Sequence, residues 1–123
     1  MRRRAMIAIV SAAVLALAVP LASQATSHTR LPLQANPHGK IRFNKKKLTA
    51  KAGVVTIVMH NPSSSGLHHG IAIEGNGVDK DGRIVAPGKT STLTIRLKPG
   101  RYTFYCNFDH HRSLGMKGTL IVK

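Results

Sequence analysis

Residues 101–123 have the sequence RYTFYCNFDHHRSLGMKGTLIVK and contain the single cysteine of the chain, Cys106. The alternation in RYTFYC predicts a β-strand that places Tyr102, Phe104 and Cys106 on one face. A further strand is predicted over Gly118–Lys123, because TLIV is rich in β-branched and apolar residues. The chain is therefore expected to end in two strands joined by a loop, with Cys106 at the entrance of the loop on the inward side.

Upstream of this stretch, short apolar segments alternate with turn-forming residues. The predicted strands are Lys40–Phe43, Leu48–Lys51, Val54–His60, His69–Ile73, Ile84–Ala86 and Thr90–Leu97. Gly and Pro turns separate them, and no convincing helix follows residue 25. Such a succession of short strands indicates one all-β domain, an antiparallel β-sandwich of about eight strands.

The first 25 residues are typical of a secretory signal. Three arginines precede an apolar run over Ala5–Val19, and Pro20 and small residues follow, which predicts cleavage after Ala25. Retention of this segment as a membrane anchor is the alternative. Residues 26–38 have two prolines and no periodicity, so they are interpreted as a leader or linker before a domain over residues 39–123.

Charge and cysteine content restrict the function. Of 19 Lys and Arg, three lie in residues 1–25, and with 4 Asp and Glu the remaining 98 residues carry about +12. This field favours an acidic protein partner, whereas Lys45–Lys47 has no interleaved aromatic residues of the kind that stack on nucleic-acid bases. We expect a monomer. One cysteine excludes an internal disulfide, so an exported chain is expected to keep Cys106 buried or bound.

The loop after Cys106 has the donor types of a metal site. A lone cysteine is more often a buried structural thiol than a ligand, but here His111 follows Cys106 by five residues and Met116 follows His111 by five. Thiolate, imidazole and thioether, with a second histidine from elsewhere, are the donors of a blue-copper site. A zinc site is expected to have more thiolates or paired histidines.

This loop also resembles a known family. TFYC, a loop ending in histidine, and GMKGTLIV are similar to the C-terminal signature of the cupredoxins, small blue copper proteins such as plastocyanin and its bacterial relatives. NPSSSGLHHGIAIEG, residues 61–75, is similar to the segment that holds the family's first histidine. The resemblance covers residues 39–123 and implies a Greek-key β-sandwich with one copper ion cycling between Cu(I) and Cu(II). It implies the ligands His69, Cys106, His111 and Met116.

The resemblance further implies a carrier of single electrons, and no catalytic residues stand out to suggest an enzyme. The signal segment predicts export, to a periplasm or to the outside of the cell. A copper-binding or delivery module without redox cycling is the alternative. Other rivals are an oxidase or nitrite-reductase type of enzyme, for which 98 residues provide no second domain, and a basic sandwich that binds anionic polymers around an inert Cys106.

Three positions depart from the family pattern. Gly70 stands where the family usually has Asn, so a backbone N–H to the Cys106 sulfur is expected to remain while side-chain ties between the ligand loops are lost. His110 is a rival of His111, and His68 is a rival of His69; in both pairs the register favours the second histidine.

A second copper site is conceivable at the N-terminus. If cleavage follows Ala25, the chain begins Thr26-Ser27-His28. A free amine, two amide nitrogens and the His28 imidazole form a square-planar chelate that suits Cu(II). This hypothesis depends entirely on the position of cleavage.

Overall fold

A computed structural model describes residues 8–18 and 27–123. Residues 8–18 form neither helix nor strand. No helix in the described ranges is long and apolar enough to cross a bilayer. The predicted cleavage position after Ala25 and the proposed terminal residue Thr26 lie outside the described residues, so both stay predictions.

Residues 27–123 form eight strands in two sheets, as the sequence predicts. The strands are β1 (His28–Gln34), β2 (Lys47–Ala50), β3 (Gly53–His60), β4 (Ala72–Gly75), β5 (Val78–Asp81), β6 (Thr90–Leu97), β7 (Gly100–Tyr105) and β8 (Lys117–Val122). One sheet has the order β1-β3-β6, and the other has the order β2-β8-β7-β4-β5. Within the described ranges the sole helical element is a 3-10 turn at Ser63–Ser65.

The sheets are mixed rather than purely antiparallel. Strand β1 runs parallel to β3, and β2 runs parallel to β8, while the other pairs are antiparallel. Both parallel pairs join elements far apart in sequence. The sequence showed hairpin-like turns, which favour antiparallel neighbours, and it carried no local sign of these two pairings.

The interpretation of residues 26–38 as a leader or linker is wrong over most of its length. Strand β1 occupies His28–Gln34 and pairs with β3 along all seven residues. Pro32 is tolerated because β1 is an edge strand, where a missing N–H is not needed by a second neighbour. Leu33 is 3% exposed and belongs to the core. The domain therefore includes residues well before 39.

Leu33→Ala tests this correction. We expect it to lower the free energy of unfolding by about 2–5 kcal/mol, because it removes buried methyl groups and leaves a cavity. Arg30→Ala, on the exposed side of the same strand, is the control and is expected to change it by less than about 0.5 kcal/mol. Urea denaturation of both variants measures the difference. Equal, near-zero effects would mean that residues 28–34 are a linker after all.

Three smaller elements also differ from expectation. Residues 40–43 form bends, with a single bridge between Phe43 and Ala35 in place of a strand. The predicted strand Ile84–Ala86 is likewise reduced to one bridge, between Val85 and His69. Strand β5 was missed because its sequence, VDKD, is polar and lies at a sheet edge. It follows a tight turn at Asn76-Gly77, where both residues have positive φ of 50° and 78°, as two-residue hairpins require.

The inward face of β7 leads directly to the metal loop. Tyr102, Phe104 and Cys106 are 2%, 0% and 1% exposed, which confirms the predicted alternation. The Phe104 ring packs against Phe43 with centroids 5.8 Å apart. The same ring explains Gly118 on β8, because a Cβ there would stand 2.2 Å from Phe104 Cζ. Cys106 therefore lies where the chain passes from a tightly packed core into the metal loop.

Candidate metal centre

Backbone pairing fixes both segments that supply the donors. His69 exchanges two backbone hydrogen bonds with Val85, of 3.1 and 2.8 Å, just before β4. Cys106 follows β7, and its N–H donates to the Met116 carbonyl oxygen at 3.0 Å. The Met116 N–H in turn donates to the carbonyl oxygen of His111 at 3.0 Å. The loop is therefore closed at its base, which brings its two ends together.

Three donor atoms from these segments converge. The Nδ1 atoms of His69 and His111 are 3.1 Å apart, and Cys106 Sγ lies 3.8 Å from the first and 3.6 Å from the second. His69 is 0% exposed, Cys106 1% and His111 5%. Two nitrogens and a sulfur thus form a small buried triangle at the end of the sandwich.

The triangle has the size that a metal ion needs. Imidazole and thiolate bind zinc at about 2.0 and 2.3 Å, so a trigonal ion of similar radius requires N–S separations of roughly 3.7 Å. Met116 is 0% exposed and tied by its backbone to both loop ligands. Two imidazoles, one thiolate and a thioether suit copper rather than zinc, which has little use for the thioether. The four residues form a site that fits one copper ion.

Burial keeps the three donors neutral in the metal-free protein. Desolvation, followed by coulombic interactions with His111 and then His68, lowers the pKa of His69 to about 4. Desolvation also lowers the pKa of His111, with Asp109 opposing it. The pKa of Cys106 is raised by burial, an effect that the N–H groups of Gly70 and Phe108 only partly offset. The histidines are therefore ready to bind a metal at neutral pH, whereas the thiol must first lose a proton.

Copper loading is accordingly expected to release about one proton per ion at pH 7, from Cys106 alone. As the pH falls towards 4, where the pKa of His69 lies, protons compete for the imidazole, so release should rise above one and affinity should fall. Titration of weakly buffered protein with an indicator dye measures the release. Two or more protons at pH 7 would show charged histidines, and none would show that the thiolate already exists.

The rival histidines lie outside the triangle. The His110 side chain is 88% exposed, and its Nε2 stands 3.7 Å from Asp109 Oδ1 on the surface. His68 is exposed, and its ring lies against Phe108 with centroids 5.7 Å apart. The structure therefore brings together the second histidine of each pair, as the register favoured.

His28 lies on another part of the domain. It starts β1, and its Nε2 lies 3.0 Å from Thr56 Oγ1. Ser27 accepts a backbone hydrogen bond from Val54. The Thr56 contact uses Nε2, which leaves Nδ1 of the ring free, and the hypothesis of a terminal Cu(II) chelate stays a prediction.

The surroundings of the sulfur agree in part with expectation. The Gly70 N–H donates to Cys106 Sγ at 3.4 Å, as predicted. The Asn107 amide does not bond the His69 segment; it donates to the Gly82 carbonyl oxygen at 3.1 Å, a contact that the sequence did not predict. One feature of the sequence could have indicated this contact of Asn107. Asn107 directly follows Cys106, and the segment with the other ligand has Gly70 where the family usually has Asn.

A second unpredicted contact braces the loop beside His111. Arg112 Nη2 donates to Glu74 Oε1 on β4, and its guanidinium lies over the Tyr105 ring at 4.1 Å from the centroid. Hydrogen bonding lowers the pKa of Glu74 and raises that of Arg112. Nothing in the local sequence pairs Glu74 with Arg112, since 38 residues separate them.

Comparison with known proteins agrees with this geometry. The profile of the cupredoxin-like domain family matches residues 7–122. The chain belongs to the cupredoxin family. Among solved structures, the cupredoxin resembles auracyanin B with a TM-score of 0.69 and 22% identity, over 81% of this chain and 91% of that one. It also resembles auracyanin A, a "blue" copper protein of Chloroflexus aurantiacus, with a TM-score of 0.65 and 19% identity, over 79% of this chain and 100% of that one.

A curated relative adds a different context. The cupredoxin is 36% identical over 75 residues to the iron uptake system component EfeO of Yersinia pseudotuberculosis serotype I, strain IP32953. The match covers 57% of this chain and 20% of that relative. The cupredoxin thus spans only a small part of the length of EfeO.

Proposed function

We propose that this cupredoxin carries single electrons between redox partners and is not itself an enzyme. The observation that carries the proposal is the buried triangle of His69, Cys106 and His111, with Met116 tied to the same loop. Copper bound there would supply a one-electron Cu(I)/Cu(II) couple. The chain's own contribution is to hold the donors rigidly, since the backbone pairing of His69 with Val85 and of Cys106 with Met116 resists rearrangement when the charge changes.

His111 is the ligand through which an electron would leave. It is 5% exposed, while the other two donors of the triangle are sealed. Phe108 packs edge-on against its ring at 5.1 Å, and Leu114, in the same loop, is 66% exposed. An apolar surface of this kind lets a partner exclude water close to the ligand.

Redox cycling tests the carrier proposal. The reduced copper protein is mixed with hexacyanoferrate(III), which becomes hexacyanoferrate(II) on accepting one electron per copper. We expect full reoxidation and repeated cycles without loss of metal. A protein that holds copper but exchanges no electron, or releases the ion when its charge changes, would contradict the proposal.

We also propose that the partner is acidic and docks beside the metal loop. Three cations from different elements, Lys46, Arg112 and Lys117, line a surface cavity of about 500 Å³ next to Gly115. Arg112 already pairs with Glu74, so Lys46 and Lys117 provide the uncompensated charge. Such a field speeds encounter with anions and fades as salt screens it.

Charge reversal locates this docking surface. Lys46→Glu/Lys117→Glu is expected to slow electron transfer to the anionic hexacyanoferrate(III) by about 10-fold or more at low salt. The matched control is Lys51→Glu/Lys123→Glu, with the same change of charge at a cavity that also includes His28. A cationic oxidant, tris(phenanthroline)cobalt(III), should show the opposite trend. Equal effects of the two double variants would contradict docking at this site.

The second candidate function is metal handling without redox cycling. The similarity to an iron uptake component favours it, and the exposed His68 and His110 flank the ligands. A Cu(I) chelator, bathocuproine disulfonate, distinguishes the two: a delivery module should surrender its copper readily, whereas a carrier should retain it. Reduction of the Cu(II) protein by Fe(II), which is oxidised to Fe(III), would instead connect one-electron cycling to iron uptake.

Export is proposed from residues 1–25, to a periplasm or to the outside of the cell. Intact-mass measurement of the exported protein is expected to give a chain that begins at Thr26. A retained segment would indicate a membrane anchor, and any other start would exclude the His28 chelate.

A further inference from the structure

Asn107 occupies a place where three neighbouring segments meet. Residue 107 continues β7, residue 70 precedes β4, and residue 82 follows β5, in a sheet with the order β7-β4-β5. The Asn107 Nδ2 donates to the Gly82 carbonyl oxygen at 3.1 Å. Its amide therefore reaches past the middle segment and bonds the segment beyond it.

The middle segment allows this crossing because residue 70 has no side chain. A Cβ on Gly70 would stand 2.0 Å from Asn107 Oδ1 and 3.2 Å from the carbonyl oxygen of Arg83. Oδ1 is buried and has no hydrogen-bond partner among the described residues. A Gly70 Cα hydrogen takes the place of the missing Cβ and faces Oδ1, a weak C–H···O contact. The φ of Gly70 needs no glycine, so the close approach of Asn107 explains it.

Gly70 and Asn107 each adjoin a ligand. Gly70 follows His69 and gives its N–H to Cys106 Sγ at 3.4 Å, while Asn107 follows Cys106. Any shift of Asn107 across Gly70 therefore changes the distance between the two ligand segments. We propose that Asn107 is a positioning residue for the copper centre, clamping the Cys106 segment over Gly70 and onto Gly82. This inference rests on the proposed copper centre and adds a residue to it.

The proposal makes the two residues interdependent. Asn107→Ala removes the bond to Gly82 and is expected to lower Cu(II) affinity roughly 10- to 100-fold, as losses of outer partners of metal ligands do. It should also shift the blue absorption band and the reduction potential, because the Gly70 N–H moves relative to the sulfur. Asn107→Asp retains the shape without the N–H donor and should show the same spectroscopic change.

The test is a double-mutant cycle of Gly70→Ala, Asn107→Ala and the double variant. Alone, Gly70→Ala forces a methyl group against Asn107 Oδ1; with Asn107 shortened, the Arg83 carbonyl oxygen at 3.2 Å is the one of the three nearest atoms that remains. The loss of copper affinity, and of the free energy of unfolding of the metal-free protein in urea, should therefore be smaller in the double variant than the sum of the losses in the two single variants. Asn44→Ala is the control, since Asn44 Oδ1 accepts a hydrogen bond from the Gln34 N–H in another loop. It should leave the spectrum unchanged.

The outcomes separate this inference from the proposed function. A blue wild-type protein whose spectrum and affinity survive Asn107→Ala, or whose two substitutions are additive, would overturn the role of Asn107 and leave the copper centre standing. A wild-type protein that is not blue would overturn the copper centre, while unfolding of the metal-free variants would still decide whether Asn107 and Gly70 are coupled.

Discussion

Cys106→Ser is expected to abolish the blue colour of the Cu(II) protein. The colour arises from charge transfer between thiolate and copper, and Cys106 is the single thiol in the chain. Loss of a residue that hydrogen-bonds a metal ligand lowers metal affinity by up to roughly 100-fold. Copper affinity should fall by more than this in Cys106→Ser, because a ligand itself is removed. Absorption spectroscopy during Cu(II) titration measures both effects.

Folding must be separated from ligation in this experiment. Cys106 is 1% exposed, and a serine hydroxyl there can lower the free energy of unfolding by about 1–3 kcal/mol if it finds no partner. Urea unfolding of the metal-free variant shows whether the fold persists. A folded serine variant that remains intensely blue would disprove thiolate ligation.

The pair His111→Ala and His110→Ala should give sharply different results. Truncation of His111 removes one corner of the buried triangle, so the band should disappear or move and affinity should fall by more than about 100-fold. His110 is 88% exposed and directed at Asp109, so its truncation is an ordinary surface substitution and should change affinity by less than about 2-fold. Equal losses in both variants would mean that the loop offers either histidine to the metal.

His69→Ala and His68→Ala repeat this comparison on the other segment. His69 is fixed by its two backbone bonds to Val85, so its imidazole cannot be replaced by that of His68 without breaking the bridge. We expect colour loss for His69→Ala and near wild-type absorption for His68→Ala. A blue His69→Ala protein would show that the bridge rearranges.

Local patterns predicted the parts of the structure that depend on neighbouring residues. Alternation placed Tyr102, Phe104 and Cys106 inward, because side chains of a strand alternate between faces wherever it pairs. The ligand spacing of the loop lies within eleven residues and needs no knowledge of the rest of the fold. Met59, on the densely apolar strand β3, is 0% exposed.

Features that depend on distant pairing were missed. Strand β1 contains Pro32 and is stabilised by pairing with the parallel strand β3. No turn in the local sequence predicts this pairing. The contact between Asn107 and Gly82 joins residues 25 positions apart. The need for glycine at residue 70 can be recognised only when the position of the Asn107 side chain next to it is known. Gly70, which departs from the family pattern, is thus best considered together with Asn107, which lies next to it in space.

The centre itself is tested most directly by titrating purified metal-free protein with Cu(II) and recording its absorption spectrum. The triangle of His69, Cys106 and His111 predicts an intense blue band that saturates at one copper per chain and disappears on reduction to Cu(I). Binding without colour, or no binding, would contradict a blue-copper centre in this chain.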